Sequence, residues 1–295
     1  MKVWFEAALG ASDYPLNVAR QSFAGADFMA TDLQSADVVV VVTAGYLTGR
    51  QWALEQQRFP DKLRLCYCES DMPNLSIRGL YPSAYKCLPG RLPLPYFSAR
   101  HAMPDDSAIK PVAQRSRQVG FRGRMETHPV RSELQRVLGS EVMSPFVLPP
   151  SADGSCRYCH ELADTVFSLC PRGFGSSSFR LFESMAWGCI PVIVSDAFQP
   201  FGPGLDWDDF SIRVRESDIE DIPARLVAVA DRAEVMSASA RAAWQQYFSL
   251  DALRRQFPDL IAAVLATPEI RQRERIVMGL SRYHVGAWLT DRLGR

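Results

Sequence analysis

A surplus of charge of either sign is the first thing this chain lacks. Its 33 Lys and Arg offset 33 Asp and Glu, so no global positive field draws in a nucleic-acid backbone, and nucleic acid is not an expected partner. Long apolar runs are also missing: the most apolar stretch, Ala36 to Ala44, is far too short to cross a bilayer as a helix. Met1 to Ala8 carries neither a long apolar segment nor a small-residue cleavage site, so no secretory signal is visible and a cytoplasmic protein is expected. Cysteines number only seven, and Cys66, Cys170 and Cys189 lie inside apolar strand-like runs. Reduced thiols are therefore expected, not a disulfide framework. The Gly-Lys-Ser/Thr of a P-loop, the Gly-x-Gly-x-x-Gly dinucleotide fingerprint and the Gly-x-Ser-x-Gly elbow are all absent, which argues against ATPase, NAD-enzyme and hydrolase chemistry. Cys156-Arg-Tyr-Cys-His160 spells a c-type haem pattern, but no export signal accompanies it. As a zinc site it lacks a fourth ligand, and the segment reads as the start of a helix. No metal and no cofactor are expected.

What is present is the balance of a folded protein, 47% hydrophobic and 22% charged, on 295 residues, a length that favours two domains. Strand-like runs at Lys2 to Ala7, Asp37 to Val42 and Leu63 to Cys68 alternate with less regular stretches. The β-branched run Val38 to Val42 is what a parallel strand covered by helices on both faces requires, which predicts a doubly wound α/β domain. Pro89, Pro93, Pro95, Pro104 and Pro111 favour extended connections and mark an interdomain passage, placing a first domain over 1–112. A second series follows over 113–268: strands at Gln118 to Arg122, Thr165 to Cys170 and Ile190 to Val194, a short extended piece at Pro145 to Leu148, and helices at Pro129 to Leu138, Tyr158 to Asp164 and Ser178 to Trp187. This order predicts a second parallel sheet. From Ser217 onward the pattern is helical. The arginine-rich residues 269–295 read as a terminal helix packing back on the body, with peripheral membrane contact through 270–295 as the alternative.

The chemistry concentrates between Pro171 and Glu183. Pro171 ends a buried strand, Gly173 and Gly175 let the backbone turn, Ser176, Ser177 and Ser178 offer capping hydroxyls, and Gly188 closes the helix. Such a loop presents free N–H groups and a positive helix end at the carboxyl edge of a parallel sheet, where α/β proteins bind anions. Arg172 and Arg180 flank it with forks suited to diphosphate oxygens. Glu183, a turn further on, can accept ribose hydroxyls. Phosphate at the loop and ribose one turn below it describe a nucleotide.

The runs Phe167-Ser-Leu-Cys-Pro-Arg-Gly173, Ser178-Phe-Arg-Leu-Phe-Glu183 and Gly188-Cys-Ile-Pro-Val-Ile-Val-Ser-Asp196 resemble the exostosin family of inverting glycosyltransferases. The likeness extends to Pro200-Phe201, to Trp207-Asp-Asp-Phe-Ser211 and, upstream, to Phe121-Arg-Gly-Arg124 with Arg131. It is most specific over 165–220 and looser over 119–165. The resemblance implies a GT-B fold of two Rossmann-like domains facing a cleft, with an acceptor domain first and a nucleotide-sugar domain second. It further implies a UDP-sugar donor, a glycan or glycolipid acceptor and a metal-independent transfer. Glu183 takes the ribose role by position, Arg180 a diphosphate contact, and Arg124 is a further diphosphate candidate.

An inverting transfer needs a base for the acceptor hydroxyl. Asp13, in the loop after the first strand, is the first candidate; Glu69 and Asp71, after the strand ending at Cys68, compete by the same logic. Two rival readings remain at this point. One is a GDP-sugar-dependent, fucosyltransferase-like enzyme. The other is a non-catalytic partner subunit that binds a nucleotide sugar or glycan.

Overall fold

The computed structural model describes residues 1–71, 77–84, 90–97, 104–145, 157–198, 200–202 and 204–268. They form two α/β units, one of Met1–Phe97 with the chain from Arg254 onward, the other of Ser98–Leu253. Each is built on a five-stranded, all-parallel sheet. The divisions expected at 112 and 268 thus fall at 97 and 253. The reason lies in the last described helix, α8 (Leu250–Ala266). Its Phe257 ring centroid sits 4.3 Å from that of Phe23 and 5.5 Å from that of Phe5, which makes it core of the first unit. The terminal segment 269–295, with its expected helix, lies outside the described residues.

In the first unit the strands β1 (Val3–Ala7), β2 (Val38–Thr43), β3 (Leu63–Cys68), β4 (Gly79–Tyr81) and β5 (Arg91–Pro93) stand side by side in chain order. All six residues of β2 are buried, as its valines demanded. One set of side chains, Val39, Val41, Cys66 and Cys68, packs on Trp52 of α2 (Gly49–Arg58). Phe5 instead stacks on Phe23 of α1 (Asp13–Phe23). Edge strand β1 has its Phe5 carbonyl taken up by Nε and Nη2 of Arg20, at 3.1 and 2.7 Å, which occupies an acceptor an open edge would present.

The second unit runs β6 (Arg117–Gly123), α3 (Pro129–Leu138), β7 (Met143–Pro145), α4 (Arg157–Ala163), β8 (Thr165–Pro171), α5 (Phe179–Ala186), β9 (Ile190–Val194) and β10 (Ile212–Val214), then α6 (Ile222–Ala228) and α7 (Ala233–Ala243). Its spatial order is β10-β9-β8-β6-β7, so the direction of winding reverses between β6 and β8. Such a reversal carries the helices that follow two adjacent strands to opposite faces of the sheet and leaves a crevice at the strands' carboxyl ends, the place where open α/β sheets take ligands. The Trp207 to Ser211 motif packs: Trp207 lies 5.1 Å from Phe198 and 5.7 Å from Phe248, and its Nε1 donates to the Phe201 carbonyl at 2.9 Å. No described helix is long and apolar enough to cross a membrane.

Candidate nucleotide-sugar site

The Gly/Ser loop joins β8 to α5 at the reversal point. Ser178 is the residue before the helix, yet its side chain makes no capping bond. The capping role expected of that hydroxyl is not taken up, which leaves the first-turn N–H groups of α5 without a side-chain acceptor from it. Ser177 is 7% exposed and its Oγ has no hydrogen-bond partner among the described residues. The Ser176 carbonyl accepts from Ser195 Oγ at 2.9 Å, tying the loop to the end of β9. Gly188 ends the helix as expected, with φ of 64° and its N–H on the Met185 carbonyl at 3.0 Å.

Gly173 and Gly175 do not adopt the left-handed backbone; neither has positive φ. Gly173 is required for space instead: a Cβ there would stand 3.2 Å from Arg131 Nη2 and 3.4 Å from Thr127 Oγ1. The loop after β6 therefore abuts the loop after β8. Arg131, buried on α3, fastens the two, with Nη1 on the Arg124 carbonyl at 2.5 Å, Nε on that of Arg172 at 3.0 Å and Nη2 on that of Pro171 at 3.3 Å. Arg124 itself keeps an exposed side chain. Arg172 lies over its own loop, donating to the Phe174 carbonyl at 3.2 Å and standing 3.5 Å from Glu216, which accepts from the Asp196 N–H at 3.2 Å. The loops after β6, β8, β9 and β10 are thus clipped together around the crevice.

Arg180 is not on the loop's rim beside Arg172 but in the interior, 7% exposed. Its guanidinium carbon lies 4.7 Å from the ring centres of both Phe121 and Tyr158, and among the described residues it makes no hydrogen bond or ion pair. Glu183, 2% exposed, accepts the Tyr158 hydroxyl on Oε2 at 2.6 Å. Burial pushes the Tyr158 phenol well above its ordinary value; the Glu183 carboxylate adds to the rise and Arg180 opposes it. Phe121 and Tyr158 carry no charge that would mark them as partners of Arg180 in the sequence, although Phe121 and Arg131 fall in the upstream part of the family resemblance and Tyr158 in the Cys156 to His160 run.

Cys170 and Cys189 are buried, and burial raises their thiols to about 11 and about 12, which makes them packing groups and not nucleophiles. Cys159 and His160 fall on or beside the first turns of α4, while Cys156 lies outside the described residues. Among the described residues no three His, Cys, Asp or Glu side chains gather as a metal site would need.

The candidate bases belong to the first unit, at the carboxyl ends of its strands. Asp13 is exposed, opens α1, and makes no hydrogen bond or ion pair among the described residues. Its loop is fixed from beneath by buried Glu55, whose Oε1 accepts the Leu9 N–H at 2.6 Å. Glu69 accepts the Tyr67 hydroxyl at 2.9 Å and Asp71 that of Tyr96 at 3.2 Å, so the structure joins these two to a tyrosine network apart from Asp13.

A model of the exostosin GT47 domain matches residues 74–229. A probable glucuronoxylan glucuronosyltransferase of Arabidopsis thaliana, IRX7, is 35% identical over 137 residues, covering 42% of this chain and 30% of that protein. The exostosin-1 homolog of Caenorhabditis elegans is 37% identical over 93 residues, 31% of this chain and 24% of that one. A probable beta-1,4-xylosyltransferase of Arabidopsis thaliana, IRX10, is 32% identical over 80 residues, 27% of this chain and 19% of that one. The chain spans less than a third of the length of these curated relatives. Among solved structures, the pneumococcal O-GlcNAc transferase GtfA in complex with UDP and GlcNAc superposes with a TM-score of 0.36 at 13% identity, covering 79% of this chain and 46% of GtfA. TarM gives 0.38 at 11% identity, over 88% of this chain and 54% of that one.

Proposed function

Since the chain belongs to the exostosin GT47 family, we propose that it transfers a sugar from a nucleotide-sugar donor, a UDP-sugar by default, to a glycan or glycolipid hydroxyl with inversion and without a metal or other cofactor. The observation that carries this reading is Arg180, a guanidinium sealed between Phe121 and Tyr158 with no acceptor among the described residues. An unpaired buried cation costs several kcal/mol. A bound anion offsets that cost, and a diphosphate beside the open end of α5 supplies one. In the same reading Glu183, one turn on and bonded to the Tyr158 hydroxyl, accepts the ribose hydroxyls.

In this reading Arg124, Arg172, Arg180 and the N–H groups and hydroxyls from Gly173 through Gly175 to Ser178 stabilise the charge that develops on the departing diphosphate. Preorganised donors of this kind contribute most where water is excluded. The acceptor oxygen bonds to the anomeric carbon as the bond to the diphosphate oxygen breaks, and its proton passes to a carboxylate. Asp13 is the first candidate because its oxygens are uncommitted, whereas Glu69 and Asp71 already accept phenolic protons. A positioned base contributes about 10² to 10⁴-fold. The cytoplasmic setting expected from the sequence stays part of this reading, and the buried thiols of Cys66, Cys68, Cys170 and Cys189, none of them in a disulfide, suit it.

A thermal-shift panel of UDP, GDP, CMP and ADP tests the reading. A ligand at about 100 times its dissociation constant stabilises by about 2.7 kcal/mol. Stabilisation by UDP supports it, stabilisation by GDP alone moves the donor class to GDP-sugars, and no response to any of the four refutes it. If a nucleotide binds but no donor hydrolysis or transfer is detectable with any sugar, and none of Asp13→Asn, Glu69→Gln and Asp71→Asn changes that, the chain is a binding subunit.

A further inference from the structure

The geometry points to His128 as a further contact for the donor, its Nε2–H donating to a diphosphate oxygen at the point where the second sheet reverses. This assignment rests on the donor reading above. His128 ends the loop after β6 and begins α3, and its Nδ1 accepts the Val130 N–H at 3.3 Å. An imidazole nitrogen that accepts carries no proton, so the proton of the neutral ring lies on Nε2. That N–H has no partner among the described residues, and the side chain is only partly exposed.

Its surroundings are those of an anion site. The preceding residue, Thr127, lies against Gly173 of the Gly/Ser loop, within 3.4 Å of where a Cβ would be. Arg172 and Arg131 act on the ring from β8's loop and from α3, and Glu216 from the loop after β10. Burial lowers the imidazole's affinity for a proton, and the two guanidinium groups lower it further against the opposing pull of Glu216. The ring therefore stays neutral at neutral pH and keeps the tautomer that both caps α3 and offers Nε2–H. Ser177, nine-tenths buried with an uncommitted hydroxyl, belongs to the same Gly/Ser loop that Thr127 meets at Gly173. Adjacent loops of the reversal thus each contribute an unused donor, and sequence reading found only one of them.

The test is His128→Ser, in which the serine hydroxyl still caps α3 but is too short to replace Nε2. UDP, GDP, uridine and guanosine are titrated calorimetrically into the full chain and the variant, and thermal midpoints are compared. The midpoint should move by no more than about 4 °C. The dissociation constant of the nucleoside diphosphate should rise roughly tenfold while that of its nucleoside stays unchanged. His128→Asn, a second capping side chain, is read in the same way should the serine variant fold poorly. Unchanged diphosphate affinity in a folded variant makes His128 a cap alone and overturns the assignment with the donor reading intact. Failure of the unaltered chain to bind either diphosphate overturns both.

Discussion

The hydroxyl of Tyr158 donates to Oε2 of Glu183 across 2.6 Å, joining α4 to α5 beneath the Gly/Ser loop with both side chains buried. The same ring covers one face of Arg180. Tyr158→Phe keeps the stacking and deletes only the hydroxyl. Removing a donor from a buried carboxylate costs about 1 to 3 kcal/mol. Urea unfolding should show a loss in that range, and UDP should bind several-fold more weakly. A variant as stable as the original would deny the bond its role.

Alkaline pH probes the same group. Tyr67, Tyr81, Tyr96 and Tyr158 all have phenols raised well above 10.0, by burial first. A raised folded value means the protonated phenol is the favoured form in the native state. Stability from these four is therefore complete below about pH 10 and declines as pH climbs from there towards the folded values. A chemical-denaturation series should be flat in this respect up to about pH 9.5, and Tyr158→Phe should make the decline above it shallower.

At the other end of the scale, His128 has a lowered value, from burial and then Arg172. Its neutral form is the native one, so its contribution is complete above about pH 6.5 and shrinks as pH falls below it. His128→Ser should reduce the loss of stability between about pH 6.5 and pH 5, read as thermal midpoints.

Arg115 offers a purely structural comparison. It is buried at the amino ends of β8 and β9, donating to the carbonyls of Lys110, Thr165, Trp187 and Gly188, the last at 2.9 Å. Arg115→Ala should cost about 3 kcal/mol or more, since several buried acceptors lose a charged donor at once. Arg115→Lys should recover little, because an ammonium cannot span carbonyls arranged for a planar fork. Nucleotide affinity of either variant, measured where it is still folded, should match the original.

Much of the second unit was legible because its signals are local. A continuous apolar run such as Ile190 to Val194 has few alternatives to a buried strand, and Pro129 with Leu138 bound a helix that the structure reproduces residue for residue. The helix over 49–58 went unread, as only Trp52 and Glu55 of its ten residues are buried, although Thr48 and Gln51 form a capping box that could have signalled it. Strands β4, β5 and β10 have three residues each, too few for any periodicity to register. The apolar spacing of α8 indicates a helix but holds nothing about which core Phe257 joins, a matter settled by the phenylalanines it meets. Within the site, Glu183 and the Gly/Ser loop were visible as a pattern. The inward turn of Arg180 was not, because it depends on Phe121 and Tyr158, which approach only once three separate segments pack.

The most direct test of the donor site is a calorimetric titration of UDP and GDP into the unaltered chain, Arg180→Ala and Glu183→Ala. One of the two nucleotides should bind the unaltered chain, and each substitution should raise its dissociation constant roughly tenfold or more. Equal affinity in all three proteins, or no binding to the unaltered chain, would contradict the donor reading.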